Sequence, residues 1–243
     1  MIIRGDILIQ MRQNGSWIVI MSIKSIVFDF GGVVCDFRYR EYFSGLGYGD
    51  DDINFIINNV FNSPQWHRGM DLGKFELEEM QQDLHESYPD KIDIIDDALG
   101  VDMKNVLPIR LDVLEYIGEL KKKGYRVYGL SNLSKVVHDS FNEQYLGFDD
   151  LFDGVTVSYL AGAIKPGSQE DPFDMSDAKI FEVFFRENDV DPNEALFIDD
   201  NEHNIKMGET LGMKGILWAE DDDLGSIKEK VNQIYKGGKN GAE

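Results

Sequence analysis

A single cysteine, Cys35, stands among 243 residues. One thiol cannot close an intrachain disulfide, and there is no paired-cysteine zinc pattern, so the chain suits a reducing compartment and Cys35 reads as a small buried apolar residue. Basic residues are also scarce. Lysine and arginine number 24 against 45 acidic residues, a formal charge of −21 that makes nucleic acid and anionic membranes poor partners for the surface as a whole. No apolar stretch approaches the ~20 residues that a spanning helix needs. The run Trp17-Ile18-Val19-Ile20-Met21 is too short for a secretory signal and has no small-residue cleavage site after it. No export signal is read, and a soluble cytoplasmic protein is expected. The acidic patches Asp50-Asp51-Asp52, Asp96-Asp97 and Glu220-Asp221-Asp222-Asp223 read as solvated loops and helix starts. There is no internal repeat or long low-complexity tract.

What is present is an alternation. From Lys24 onward, short β-rich runs at residues 25–28, 125–130, 155–159, 195–198 and 215–218 are separated by stretches with apolar residues at helical spacing. Val113, Leu114, Ile117 and Leu120 form one such stripe, and Ile180, Phe181, Phe184 and Phe185 another. The pattern predicts an α/β fold, a Rossmann-like parallel sheet with helices on both faces. Between Phe37 and Leu107 the alternation stops, and helical segments follow one another near residues 53–61, 75–88 and 93–99. This is an inserted small helical module placed to sit over the sheet edge and exclude water. The expected organisation is an N-terminal extension over 1–22, a core from 23–36 and 108–236, a helical cap over 37–107, and a disordered tail at 237–243. Within the extension, β-rich runs flank Asn14-Gly15, a hairpin signal, and Met21 reads as an alternative start.

Four segments at predicted strand ends carry the chemistry. The run Ser25-Ile26-Val27-Phe28 stops at Asp29, and Gly31-Gly32 lets the chain turn away, leaving a carboxylate at the edge where open α/β sheets bind ligands. Asp29 is a candidate nucleophile. Ser131 and Asn132 follow the second strand and read either as donors to a docked anion or as a helix cap. In Ala163-Ile164-Lys165-Pro166, proline restricts the chain around a lysine that can neutralise a phosphoryl oxygen or simply face solvent. Asp199 and Asp200 close another apolar strand, with Asn204 at the start of the next helix. Two adjacent acids repel, and with Asp29 they offer hard oxygen ligands suited to magnesium; capping that helix is the competing reading.

Taken together and in this order, the segments resemble the haloacid dehalogenase (HAD) superfamily over residues 23–218. Phe28-Asp29-Phe30-Gly31-Gly32 looks like its first motif, Ser131-Asn132 its second, Lys165-Pro166 its third and Asp199-Asp200 its fourth. The insertion is similar to the family's small helical cap. The resemblance implies a magnesium-dependent phosphatase in which Asp29 attacks phosphorus to form an aspartyl-phosphate that water then hydrolyses. It implies that Asp29 and Asp200 bind Mg2+ directly, with Asp199 acting through water or as a second ligand and the Gly31 carbonyl filling a further position. Asn204 stands behind these ligands. Lys165 would neutralise the equatorial oxygens while Ser131 and Asn132 hold the phosphoryl group in line.

Position 31 departs from the pattern. Most phosphatases of this family carry there a second aspartate that protonates the leaving oxygen, and losing such a group costs ~10²- to 10⁴-fold in rate. Glycine at this point resembles a subgroup of bacterial sugar-phosphate phosphatases, those similar to glucose-1-phosphate phosphatase. Their substrates imply a small phosphorylated metabolite here, handled by a monomer or homodimer. Trp66-His67-Arg68 in the cap is expected to contact substrate, with His67 a candidate for the missing proton; helix-end packing is the competing reading for all three. The loop at 167–174 lengthens the connection after Lys165. Two other functions compete: a metal-independent 2-haloacid dehalogenase, and a phosphate-ligand-binding protein that turns over weakly or not at all.

Overall fold

The computed structural model describes residues 7–13, 16–21, 23–166 and 178–240. Near the N-terminus, β1 (Ile7–Gln13) and β2 (Ser16–Met21) pair antiparallel, with Ile7 opposite Met21 and Gln13 opposite Ser16. This is the expected hairpin, although Asn14 and Gly15 themselves lie outside the described residues. A second sheet holds β3 (Ser25–Phe28), β4 (Arg126–Ser131), β5 (Gly154–Val157), β6 (Ala195–Asp199) and β7 (Lys214–Leu217). All neighbours are parallel, in the order β5-β4-β3-β6-β7.

Alternation along these strands divides the interior in two. Ile26, Phe28, Val127, Leu196 and Ile198 enter one apolar cluster, while Val27, Tyr128, Leu130, Ala195 and Phe197 enter another. Successive side chains on a strand point to opposite faces, so both faces of β3 are covered and the strand reads as a continuous apolar run. The first face receives α6 (Leu111–Lys122), α7 (Lys135–Gln144) and α11 (Leu224–Asn240), through Ile117, Phe141 and Ile227 among others. α9 (Lys179–Asn188) and α10 (Glu202–Thr210) cover the second through Phe181, Phe184 and Met207. α6 buries Val113, Leu114, Tyr116, Ile117 and Leu120 on one stripe, and Lys121 and Lys122 in its last turn complement the helix dipole. Truncating Ile117 to alanine removes ~2–5 kcal/mol of that packing.

Because the chain runs from β3 to β4 and β5 on one side and then returns to β6 and β7 on the other, β3 is the topological switch point, where ligands bind outside the carboxyl ends. Between β3 and α6 there is a run of helices: α1 (Tyr39–Gly45), α2 (Asp50–Phe55), α3 (Leu77–Ser87), α4 (Ile92–Leu99) and α5 (Met103–Val106). Two π-helical turns, Ile56–Phe61 and Gln65–Met70, lie among them. α3 begins with a reciprocal capping box between Glu76 and Glu79, and the patch Asp50-Asp51-Asp52 forms the acidic first turn of α2.

Two expectations need correction. The strand anticipated through Tyr159 ends at Val157. Ser158 turns inward to bond the loop after β4, and residues Ser158–Ala161 form a short helix, α8, closed by Gly162 at φ 61°. The last helix also runs through Lys236-Gly237-Gly238-Lys239 to Asn240, where a disordered tail was expected. Each residue added to a formed helix gains a hydrogen bond, which offsets the ~1 kcal/mol that each glycine costs. Residues 241–243 lie outside the described chain. Among the described residues, no helix is long and apolar enough to cross a membrane.

Candidate active site

Asp29 continues β3 by one residue, its amide donating to the Ile198 carbonyl at 2.9 Å. The chain then reverses. The amides of Val33, Val34 and Cys35 all donate to the Phe30 carbonyl, at 3.3, 2.8 and 2.9 Å. Gly32 sits in this turn at φ 67°, and the Asp200 carboxylate fills the place where a Cβ at position 32 would stand. Only glycine meets both conditions. The Phe30 ring, next to the candidate nucleophile, is held by Phe141, Phe148 and Phe152 with centroids 6.1, 5.2 and 5.4 Å away.

Lys165, 1% exposed, is the centre of the site. Its Nζ lies 2.8 Å from Asp29 Oδ2 and 2.7 Å from Asp199 Oδ2, so the solvent-facing alternative does not hold. Burial alone would lower the pKa of this ammonium, but attraction to Asp199 and Asp29 reverses the shift and keeps it charged. Asn132 fixes the lysine from behind. Its Oδ1 accepts from the Lys165 amide at 2.6 Å, and its Nδ2 donates to the Lys165 carbonyl at 3.3 Å. The carboxamide expected to grip a phosphoryl group is therefore engaged in positioning Lys165. Among the described residues the Ser131 hydroxyl, buried at the end of β4, makes a long 3.4 Å bond to the Asn132 carbonyl. The following loop is braced by Ser158, whose Oγ accepts from the Leu133 amide at 2.8 Å.

Asp199 is fully buried and accepts four hydrogen bonds: from Lys165 Nζ, from the Asn201 amide at 2.8 Å, and from Asn204 Nδ2 on both oxygens at 2.9 and 3.0 Å. Those contacts occupy its lone-pair directions. Asn204 thus anchors Asp199, and Asn201, not an aspartate, caps α10 by accepting from the His203 amide. Carboxylate oxygens of Asp29, Asp199 and Asp200 lie within 4.8 Å of one another. Three carboxylates against one ammonium leave two negative charges uncompensated. Burial, together with Asp29, pushes Asp199 up to about 7 and Asp200 up to about 6. A hard divalent cation with oxygen ligands fits both that charge and that donor set. Asp29 and Asp200 retain lone pairs for it, and Gly31 is the next residue but one to Asp29 along the same turn.

The cap residues are placed differently. Trp66, 6% exposed, packs its ring 5.2 Å from Phe61, so it serves the interior and not a ligand surface. His67 directs Nδ1 to Asp71 Oδ2 at 3.1 Å, and Arg68 is exposed on the same π-helical turn. Asp71 is buried, and desolvation raises its pKa against the opposing effect of His67. Cys35 is buried as expected, with its thiol pushed far up by desolvation and then by Asp29. The 167–174 loop lies outside the described residues.

Beside Gly32 and Asp200 a cleft of about 920 Å³ opens, lined also by Phe37, Arg38, Arg110 and Trp218. Part of the acidic patch read as a solvated loop, Glu220, Asp222 and Asp223, borders it as well. Neither Phe37 nor the bracing role of Ser158 was visible in the sequence, since an aromatic after a motif and a serine after a strand carry no distinguishing pattern.

A Rossmann-like parallel sheet whose switch-point strand runs into an aspartate, with a buried lysine and an acidic pair beside it, marks a hydrolase of one particular kind. The profile of the haloacid dehalogenase-like hydrolases matches residues 23–212, and the chain belongs to that family. Among its relatives, D-ribitol-5-phosphate phosphatase of Bacteroides thetaiotaomicron is 28% identical over 200 residues, covering 79% of this chain and 90% of that protein. The sesquiterpene phosphatase of Aspergillus oryzae is 24% identical over 199 residues, covering 80% and 89%. A HAD family enzyme from B. thetaiotaomicron, solved in complex with magnesium and inorganic phosphate, shares the fold at TM-score 0.61 and 22% identity, covering 85% of this chain and 99% of that one.

Proposed function

We propose that this hydrolase is a magnesium-dependent phosphatase of a small phosphorylated metabolite, a sugar phosphate, acting through an aspartyl-phosphate on Asp29. The observation that carries this reading is the Lys165 ammonium held 2.8 Å from Asp29 and 2.7 Å from Asp199, with the Asp200 carboxylate alongside. Phosphoryl transfer needs positioning and charge neutralisation more than covalent help from many groups. Asp29, Asp200 and the Gly31 carbonyl would hold magnesium, which would supply positive charge to the phosphoryl oxygens. Lys165 adds positive charge beside Asp29, and Asn132 and Asp199 keep it there. Ser131 offers a hydroxyl to the transferring group.

Similarity to phosphatases over most of the chain supports the reading, as does a HAD family enzyme of the same fold solved with magnesium and phosphate. The acidic trio disfavours the metal-independent dehalogenase, which has no use for a divalent-cation site. The helical run from Tyr39 to Val106 serves as the cap, and the protein works in the cytoplasm as a monomer or homodimer. Screening phosphorylated metabolites with magnesium, beside the Asp29→Asn variant, tests the assignment. Phosphate release should require both the metal and Asp29. Release that survives the substitution removes Asp29 as nucleophile, and tight binding without release selects the non-hydrolysing reading that Gly31 suggests.

A further inference from the structure

Position 31 is more than vacant. A Cβ there would lie 2.7 Å from Phe37 Cζ, so the Phe37 ring stands in the room that any side chain at 31 would enter. A carboxylate at 31 and this ring cannot both keep their places. Phe37 is 55% exposed, stacks on Tyr39 with centroids 6.2 Å apart, and lines the cleft beside Gly32 and Asp200. The cleft wall at position 31 is therefore aromatic, where the resemblance would have placed a proton-donating aspartate.

Most other transferable protons around the cleft are committed elsewhere, Asp222 accepting from Lys230 and Asp223 from Ser226, with Glu41 and Glu220 also in its lining. The Lys165 ammonium is clamped between two carboxylates, and the Cys35 thiol faces the apolar interior. His67 holds one of its ring nitrogens, Nδ1, against Asp71 on the cap and is not among the residues lining the cleft. Across the cleft, Arg38 and Arg110 reach Asp36 at 2.9 and 3.8 Å, and a guanidinium does not release a proton in proteins. Trp218, under Arg110 at 4.5 Å, adds a second aromatic surface.

Resting on the phosphatase reading above, we infer that Phe37 is a specificity-determining residue, selecting phosphoryl groups carried on an acidic hydroxyl over esters of ordinary alcohols. Aryl, enol, anomeric and acyl phosphates are of the favoured class. In the transfer step, an Asp29 carboxylate oxygen forms a bond to phosphorus as the bond from phosphorus to the leaving oxygen breaks. The electron pair departs with that oxygen, which is protonated by water after release. One water then hydrolyses the aspartyl-phosphate, returning the carboxylate and inorganic phosphate. A leaving oxygen that carries negative charge well needs no donor at 31, and its organic part rests against Phe37.

The test is a leaving-group series with magnesium: phenyl phosphates of graded phenol acidity, acetyl phosphate, and the alkyl esters glycerol and ribitol phosphate. In the wild type, kcat/KM should fall steeply as the leaving hydroxyl becomes less acidic, with alkyl esters ~10²-fold or more below nitrophenyl phosphate. Gly31→Asp combined with Phe37→Ala should raise alkyl turnover and flatten the slope more than Gly31→Asp alone. Alkyl esters turned over within tenfold of nitrophenyl phosphate by the wild type would overturn the inference by showing that another group supplies the proton. Failure to hydrolyse any ester, or hydrolysis that persists in Asp29→Asn, is a different result: it removes the phosphatase reading and the inference with it.

Discussion

Replacing Lys165 by methionine keeps the length and apolar stem of the side chain and deletes only the charge. What remains is a pair of carboxylates, Asp29 and Asp199, whose oxygens had each been within 2.8 Å of one ammonium and which are now buried together unpaired. Removing one partner of a buried ion pair typically costs ~3–5 kcal/mol, because the surviving charge has lost both water and its counter-ion. For a chain of this size each kcal/mol moves the melting temperature by ~2–4 °C, so the substitution should lower Tm by roughly 6–20 °C. Thermal unfolding followed by circular dichroism reads this directly. On the proposed reading the loss should shrink with magnesium, which would neutralise Asp29, and shrink again at acid pH, where one carboxylate takes up a proton. Turnover should fall ~10²-fold or more, the scale of losing one electrostatic contact to a developing charge. A Tm within ~2 °C of wild type, insensitive to magnesium, would refute the claim that Lys165 holds these carboxylates together.

Gly32→Ala should weaken magnesium affinity at least tenfold in titration calorimetry, since the new methyl collides with Asp200 and the residue is held at φ 67°. Asn132→Ala frees the Lys165 backbone without touching the ammonium, so kcat should fall ~10-fold or more with the fold intact, and Asn132→Asp should not restore the donor bond to the Lys165 carbonyl. Asp71 has a pKa raised by burial, so the folded chain holds its proton more tightly than the unfolded chain. Its contribution is therefore fully present below the ordinary aspartate range and lost as pH rises through the raised folded value. Asp71→Asn should remove that slope, and the stability difference between variant and wild type in urea unfolding should move in the variant's favour from about pH 4, near the ordinary aspartate value, to about pH 8, well above it.

Much of the site was legible because strand ends and motifs coincide. Asp29, Lys165, Asp199 and Asp200 each follow or close an apolar run in the sequence, and parallel pairing around β3 brings them to one edge. The sheet itself was legible for a related reason: strands covered on both faces are apolar throughout and stand out from amphipathic helices. What stayed hidden depends on side-chain direction. Asn132 was placed correctly at the end of β4, but that its carboxamide faces the Lys165 backbone follows from a pairing across 33 positions of chain that no local pattern encodes. Trp66 looked like a ligand contact because aromatics serve both packing and recognition, and only its burial against Phe61 decides between them. Phe37 gave no signal at all, since its importance is the volume it takes from Gly31.

The ring next to Asp29 has a consequence for motion. Phe30 is wedged over Gly129, where even a methyl would stand 2.5 Å from its Cζ, and is enclosed by Phe141, Phe148 and Phe152. Through the peptide bond between them, the Asp29 backbone is thereby tied to an aromatic cluster of the core. On the proposed reading, the carboxylate that meets the phosphoryl group is positioned by the sheet and its aromatic packing, independently of the helices between β3 and α6.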